Sequence, residues 1–461
     1  MSGTGALAPA LPRGAAEGAG DWERWSGRPA AAPPGVRPAT VLRLTVLGLA
    51  LGNLGRASVL LRGPEWPVLL NDLLVGAALL VSALACLQAR RLRVDRVVGV
   101  ALAFAAVGVG AGLWASQKYA IGAGELLTSF AYLGRWLAYF GLYVCVLNVA
   151  RDGDAPLLWG AVERTVLAVA AFGVFQVFAF EHFAQTIYPT GPGYLGWDFQ
   201  GRRLVSTLLD PNFAGMLIVM PLLVQAAQLS FGLRVRRWKT LLLLFALLLT
   251  VSRGAILAFC VGLMVVVVVR GVRRRLARVG ALVALGALPA LPALVSFAAS
   301  FNKFSVDGSA MARVQSWLRA FQVIADNPLF GVGFNTYRYV QRAYGWAAAS
   351  AEREQVATGL DGGLLFITVL TGAVGLLLYL TLLGLVVARC RRLWRDGGAP
   401  AEARAFALGT GATIVALVLH SLTVNSLLLP FLMEPLWVMA GVAYLYARAR
   451  GGHRAAAPAQ A

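Results

Sequence analysis

Three arginines and one carboxylate are spaced along the second half of this chain so that they could hold a diphosphate and take a proton beside it. Arg203 stands in Gly201-Arg202-Arg203-Leu204, just ahead of Leu209-Asp210-Pro211-Asn212-Phe213. Arg253 interrupts the apolar stretch 241–269 within Ser252-Arg253-Gly254. Arg313 lies in Met311-Ala312-Arg313-Val314-Gln315-Ser316-Trp317, and Asp361 closes the same soluble segment, 300–361. A guanidinium is planar and binds phosphate oxygens in pairs. A carboxylate within reach of a sugar hydroxyl can act as a general base. The set suits displacement of a lipid diphosphate by a sugar hydroxyl.

Each residue also has a plainer reading. Arg253 could snorkel to lipid phosphate. Arg313 and Arg319 could be the solvated side of an amphipathic helix, since residues 314, 317, 318 and 321 are apolar at helical spacing. Asp361 could cap a helix N-terminus. Asp210-Pro211 is a good helix start, which accounts for both residues but not for the paired arginines before them. Arg135, in Tyr132-Leu133-Gly134-Arg135-Trp136, is a charge at membrane depth and so a functional candidate for the diphosphate. It could equally pair with Glu125 or Glu434.

The elements that must position these residues are transmembrane helices. The chain is 59% hydrophobic and 13% charged, with a mean hydropathy of +0.70. That composition describes one all-α polytopic membrane domain rather than a string of soluble ones. Apolar runs of about 20 residues, long enough to cross a bilayer, give twelve expected helices. They cover 40–58, 67–88, 97–115, 124–149, 157–179, 211–230, 239–252, 254–270, 279–299, 362–388, 403–425 and 431–448. The net charge of +20 does not signal nucleic acid, because the basic residues cluster between apolar runs. Examples are Arg90-Arg91-Leu92-Arg93, Arg273-Arg274-Arg275 and Arg391-Arg392. Such loops stay cytoplasmic and touch anionic membrane lipid.

This rule places both termini inside and leaves two long outward loops, 180–210 and 300–361. It also splits 241–269 in two. Arg237 and Lys239 on one flank and Arg270 to Arg275 on the other both belong inside, so the stretch goes out and returns. Arg253 then sits at the outer turn. Residues 1–37 and 451–461 read as disordered cytoplasmic tails, rich in Ala, Gly and Pro and without a signal-peptide core. The four cysteines and three histidines are scattered. They offer neither a disulfide framework nor a metal-ligand spacing.

Five motifs in order resemble the O-antigen ligase and O-antigen polymerase family over roughly 200–390. They are Arg203-Leu204 with Asp210-Pro211-Asn212; Ser252-Arg253-Gly254; Arg313 with Trp317; Asn327-Pro328-Leu329-Phe330-Gly331-Val332-Gly333; and Asp361 with Leu365, Gly372 and Gly375. The resemblance implies a GT-C-like bundle with a long extracytoplasmic loop between the ninth and tenth helices. The domain would be 38–450, with 300–361 as its outer catalytic loop. It further implies a metal-independent, inverting glycosyltransferase without a cofactor, in the bacterial inner membrane, facing the periplasm.

The implied donor is a glycan on a polyprenyl (undecaprenyl) diphosphate, and the acceptor is another glycan. Envelope polysaccharide assembly proteins are implied partners. Arg253 and Arg313 would bind the diphosphate, assisted by Arg203, and position 361 would carry the catalytic residue. The chain departs from the ligase pattern, which has His-Asn where this sequence has Asp361-Gly362. The departure favours a polymerase over a ligase onto lipid A core, with transfer to protein last. A lipid-linked glycan flippase or transporter is the rival from another class. It would need charges along a path across the bilayer, whereas most unexplained charges here fall on one face.

Overall fold

The computed structural model describes residues 37–57, 68–187, 203–271, 314–346 and 360–456. The expected helix at 279–299, Arg313 and the tail before Arg37 lie outside the described residues. The remaining eleven expected segments coincide with helices. These are α1 (Pro38–Gly48, continued by a 3-10 turn, Leu49–Gly55), α2 (Leu70–Ala89), α3 (Arg96–Lys118), α4 (Ala123–Val149), α5 (Ala155–Ala179), α6 (Pro211–Ser230), α7 (Arg237–Leu249) and α8 (Arg253–Arg270). Two shorter helices, α9 (314–326) and α10 (Tyr337–Ala343), fall in the long loop. The chain ends with α11 (Gly363–Arg395), α12 (Ala401–His420) and α13 (Pro430–Ala456). Among the described residues, nine segments are long and apolar enough to cross a membrane. The protein is an all-α polytopic membrane protein.

Helix starts follow local chemistry. Asp95 accepts from the Val98 N–H at the head of α3, Asp210 caps α6, and Ser252 caps α8. Pro38, Pro156 and Pro211 occupy first turns, where a missing N–H goes unnoticed. The expected split at Arg253 is present. α7 has 13 residues, so at 1.5 Å per residue it spans only ~20 Å. α7 packs on α5 and α6, whereas α8 packs on α6 and α12. At the centre, α6 and α12 approach so closely that a Cβ on Gly409 would lie 2.6 Å from the Val224 Cα. Small residues at such crossings are how membrane helices gain van der Waals contact.

Three boundaries differ from expectation. α11 runs on to Arg395 and α13 to Ala456, past the expected start of a tail at 451. α12 stops at His420, not 425. There the His420 carbonyl accepts from the N–H groups of Thr423 and Val424, turning the chain back. Ser421, Thr423, Asn425 and Ser426 supply side chains that compete with helical backbone bonds.

The helix ends sort into two faces. The basic face is tied by ion pairs between helices: Arg389 with Asp95 at 2.7 Å, Arg448 with Asp152 at 2.6 Å, and Lys239 with Glu163. Some of the basic residues that mark topology therefore also hold helix to helix. The opposite, loop face carries α9, α10 and the ends of α6, α7, α8, α11 and α12.

One feature links that loop to the bundle. α11 breaks at Gly372, whose φ of 64° and ψ of −169° are open only to glycine. An unbroken helix would join the N–H groups of Ala373 and Val374 to the carbonyls of Val369 and Leu370. Here Ala373 and Val374 donate instead to Pro328 and Leu329, at 2.9 and 3.1 Å. The freed Val369 and Leu370 carbonyls accept from Val332 and Gly333, at 3.0 and 2.8 Å. Residues 328–333 are thus spliced into the helix, and four hydrogen bonds replace two. Buried backbone groups at membrane depth require such partners.

Gly372→Ala should destabilise the protein by about 2 kcal/mol or more, from the left-handed backbone alone and from the clash. The added Cβ would lie 2.2 Å from the Leu329 carbonyl carbon and oxygen. Thermal unfolding of the purified protein in detergent measures this. Gly384→Ala, in the same helix with open space around it, should leave the melting point unchanged. Equal melting points for Gly372→Ala and wild type would mean that the splice is dispensable.

Candidate active site

Of the predicted residues, Arg203 and Arg253 meet on the loop face at the turn between α7 and α8; Arg313 lies outside the described residues. Arg203 reaches this turn from the preceding loop. Its Nε donates to the Thr250 carbonyl at 3.1 Å and its Nη2 to the Val251 carbonyl at 3.3 Å. The guanidinium therefore caps the C-terminal end of α7. Its own segment is anchored by Gln176, whose Oε1 accepts from the N–H groups of Val205 and Ser206. Val251 adopts φ +49°, an unusual conformation for a β-branched residue. Strain of this kind, about 1–2 kcal/mol, persists where surrounding contacts over-determine the backbone. Here it sits two residues before Arg253. Arg253 opens α8, is exposed, and makes no ion pair among the described residues.

Asp210 caps α6, and Asn212 in its first turn binds the α7–α8 turn. The Asp210 Oδ1 accepts from Asn212 and Phe213 N–H at 2.7 and 3.1 Å, and the Asn212 Oδ1 accepts from the Ser252 hydroxyl at 2.9 Å. Burial raises the Asp210 carboxyl above its usual range. The two N–H groups and Arg203 pull it down, and the charge of Asp361 pushes it up. Arg203 and Asp361 therefore both lie within electrostatic reach of Asp210.

Asp361 lies before α11 and does not cap it. Gly362 occupies the cap position, with φ 102° and no side-chain cap bond. Backbone clamps fix the segment. The Trp317 indole N–H donates to the Asp361 carbonyl at 2.9 Å. Asn425 Nδ2 donates to the Leu360 carbonyl at 2.6 Å, and the Gly363 N–H donates to Val424 at 3.1 Å. The same 420–426 turn backs Arg253, because a Cβ on Gly254 would sit 3.3 Å from the His420 ring. His420 is buried and bonds Ser426 through Nδ1. One polar turn thus supports both Arg253 and Asp361.

Arg135 has a partner that the sequence reading did not anticipate. Its Nε and Nη2 both reach the Asp72 carboxylate at 2.8 Å, and the Tyr139 hydroxyl donates to the same group at 2.9 Å. Glu125 pairs with Arg342 instead, and Glu434 accepts from Asn71. Arg135 lines a cavity of about 280 Å³ that also borders Leu360. The cavity wall includes Tyr132, Trp136, Tyr337, Arg338 and Asn425. Burial pushes the Tyr337 phenol up to about 12, against a lowering pull from Arg319, so it stays a neutral donor.

Asn425, His420 and Arg338 were not singled out from the sequence. The signal for the first two was the polar run His420–Ser426 inside an apolar stretch. For Arg338 it was the alternation Tyr337-Arg338-Tyr339.

A polytopic α-helical membrane protein with arginines and carboxylates gathered at one end of its bundle is thus defined. Residues 238–380 match the family model described as O-Antigen ligase. That match supports the resemblance to the O-antigen ligase and polymerase family and, in general terms, a glycosyltransferase activity of that type. It spans Arg253, Arg313 and Asp361. No curated protein matches the chain.

Folding favours the protonated form of Asp210, so its contribution to stability is greatest at low pH and falls as pH rises through the raised pKa. Asp210→Asn keeps the oxygen that caps α6 and buries no charge. Its melting point should equal or exceed that of wild type near neutrality, and the difference should grow as pH rises above the usual carboxylate range. Asp210→Ala should lose about 1 kcal/mol with the cap. A melting point for Asp210→Asn that drops below wild type as pH rises would mean the fold prefers the charged form.

Proposed function

We propose that the protein is a polysaccharide polymerase- or ligase-type glycosyltransferase that takes a glycan from a polyprenyl diphosphate and passes it to a sugar hydroxyl of an acceptor glycan. The carrying observation is that Arg203 and Asp361 both act on the Asp210 carboxyl, at the end of the bundle where Arg253 opens α8; Arg253 and Asp361 fall within the region matching O-antigen ligases. By the positive-inside rule the opposite, basic face is cytoplasmic, so this end faces outward.

In this reading the acceptor hydroxyl attacks the anomeric carbon of the donor sugar from the side opposite the diphosphate. The new C–O bond forms as the bond to the diphosphate oxygen breaks, and the configuration inverts. The hydroxyl proton passes to the Asp361 carboxylate. The electron pair leaves with the diphosphate, whose growing charge is met by Arg253, Arg313 and Arg203. Arginine suits this task because its fork pairs with two oxygens and stays charged in a water-poor site. No metal or cofactor enters the scheme. Asp361 in place of the ligase-type histidine favours chain polymerisation over transfer to a lipid A core.

Purified protein given a polyprenyl-diphosphate oligosaccharide and EDTA should make a product ladder without added acceptor. Asp361→Asn should lower kcat by about 10²–10⁴-fold, and Arg253→Ala by about 10²–10³-fold, with both variants still folded in the membrane. A single transfer that appears only with a lipid A core acceptor would make it a ligase. Wild-type turnover in both variants would remove the mechanism. Movement of the lipid-linked glycan across vesicles, without any product, would favour a flippase.

A further inference from the structure

The cavity beside Leu360 is chemically unlike the diphosphate site. Its lining includes three arginines, Arg56, Arg135 and Arg338, and no carboxylate among the described residues. The charge of Arg135 is already met by Asp72 behind the wall. Arg338 is different. Among the described residues its Nη2 donates to the Asn335 Oδ1, at 3.3 Å, and its guanidinium lies 5.7 Å from the Tyr132 ring centre and 5.8 Å from that of Tyr339. No described carboxylate pairs with it. A half-buried cation without a counter-ion is an expensive arrangement unless an anion visits it.

Two other groups in the wall are unsatisfied. The Asn335 Nδ2 and the Asn425 Oδ1 are buried without a hydrogen-bond partner among the described residues. One is a donor and the other an acceptor, and a hydroxyl is both. Leaving each unmade costs about 1–3 kcal/mol. The rest of the lining is largely aromatic and aliphatic, with Trp136, Phe334, Tyr337 and Phe366 among it. Such faces suit the C–H side of a pyranose ring. A bare diphosphate would answer Arg338 and leave the rings unused. A neutral sugar would answer the amides and leave Arg338 unpaired. A sugar carrying a carboxylate answers all three. At about 280 Å³ the cavity is near the small end of ligand pockets, roughly 300–1,000 Å³, and fits a short saccharide rather than a chain.

We propose that this cavity binds an anionic, hexuronate-type sugar unit of the acceptor glycan, with its carboxylate on Arg338 and its hydroxyls on Asn335 and Asn425. The assignment to the acceptor rests on the glycosyltransferase reading above. Leu360, in the cavity wall, is the neighbour of Asp361, so the bound unit lies beside the proposed base.

The test is direct binding to the full-length protein in nanodiscs, with no donor present. Trigalacturonate and its methyl ester are titrated by calorimetry. The acid should bind about tenfold or more tighter than the ester, the value of a charge-assisted hydrogen bond. Arg338→Gln should erase that preference and leave ester affinity unchanged, with an unchanged melting point as the control for folding. Tyr132→Ala should weaken both ligands. Equal binding of acid and ester, no binding of either, or an unaffected preference in Arg338→Gln would each overturn the assignment. So would inorganic pyrophosphate displacing the saccharide in wild type but not in Arg338→Gln, which would make the cavity a phosphate site. Because no transfer is measured, failure here is distinct from failure of the proposed function. A protein that binds the acid but forms no product loses the function and keeps the site.

Discussion

The backbone of residues 328–333 completes the hydrogen bonding of α11, and the geometry of the loop face depends on that splice. A helix break at membrane depth exposes two N–H groups and two carbonyls that water cannot reach. The loop supplies the missing partners on both sides of the break. Glycine is needed at Gly372 because the conformation excludes a Cβ, and at Gly331 because a Cβ would press on the Val369 carbonyl and the N–H groups of Thr371 and Gly372. Further bonds spread the attachment to α3. Asn327 donates to the Tyr119 hydroxyl and accepts from Lys118. α9 and α10 flank the splice on either side, so Trp317 and Arg338 inherit their positions from it. Trp317 in turn holds the carbonyl of Asp361.

Charge burial then separates the arginines by role. Arg135 meets a carboxylate in a bidentate pair, and Arg389 meets Asp95 and Tyr143 on the basic face. These residues are matched and hold helices together. Arg203 spends two donors on the end of α7 while acting on the Asp210 carboxyl. Arg253 and Arg338 have no described carboxylate partner, so ligand oxygens are the natural complement of each. The two lie on different parts of the loop face, joined through the 420–426 turn and Leu360. The proposed reaction, with a donor leaving group and an acceptor sugar, would use such a division.

Much of this organisation was legible residue by residue. Asp210-Pro211 announced a capped helix, and the capping bonds to Asn212 and Phe213 are present. The basic flanks at Arg237 and Arg270 required the chain to turn at Arg253, and it does. The Asn327–Gly333 motif was visible as a pattern, but its partner in α11 was not. Local sequence carries no sign that a loop 40 residues upstream in the chain will finish a helix. The Arg135 partner was missed for the same reason. Asp72, Glu125 and Glu434 are equivalent candidates until helix packing brings one of them within 2.8 Å. The end of α12 was placed too late because hydropathy averages over a polar turn.

The sequence by itself determined that the chain crosses a membrane many times, which helix ends are basic, and where Arg203, Arg253 and Asp361 would emerge. Hydropathy and charge act over a single helix or turn, so these properties can be read locally. The tertiary structure alone decided which arginine is neutralised and which stays open, which turn supports the carboxylate, and where a cavity remains. Those outcomes depend on pairs of residues far apart in the chain, and on the cost of leaving a buried charge or backbone group without a partner.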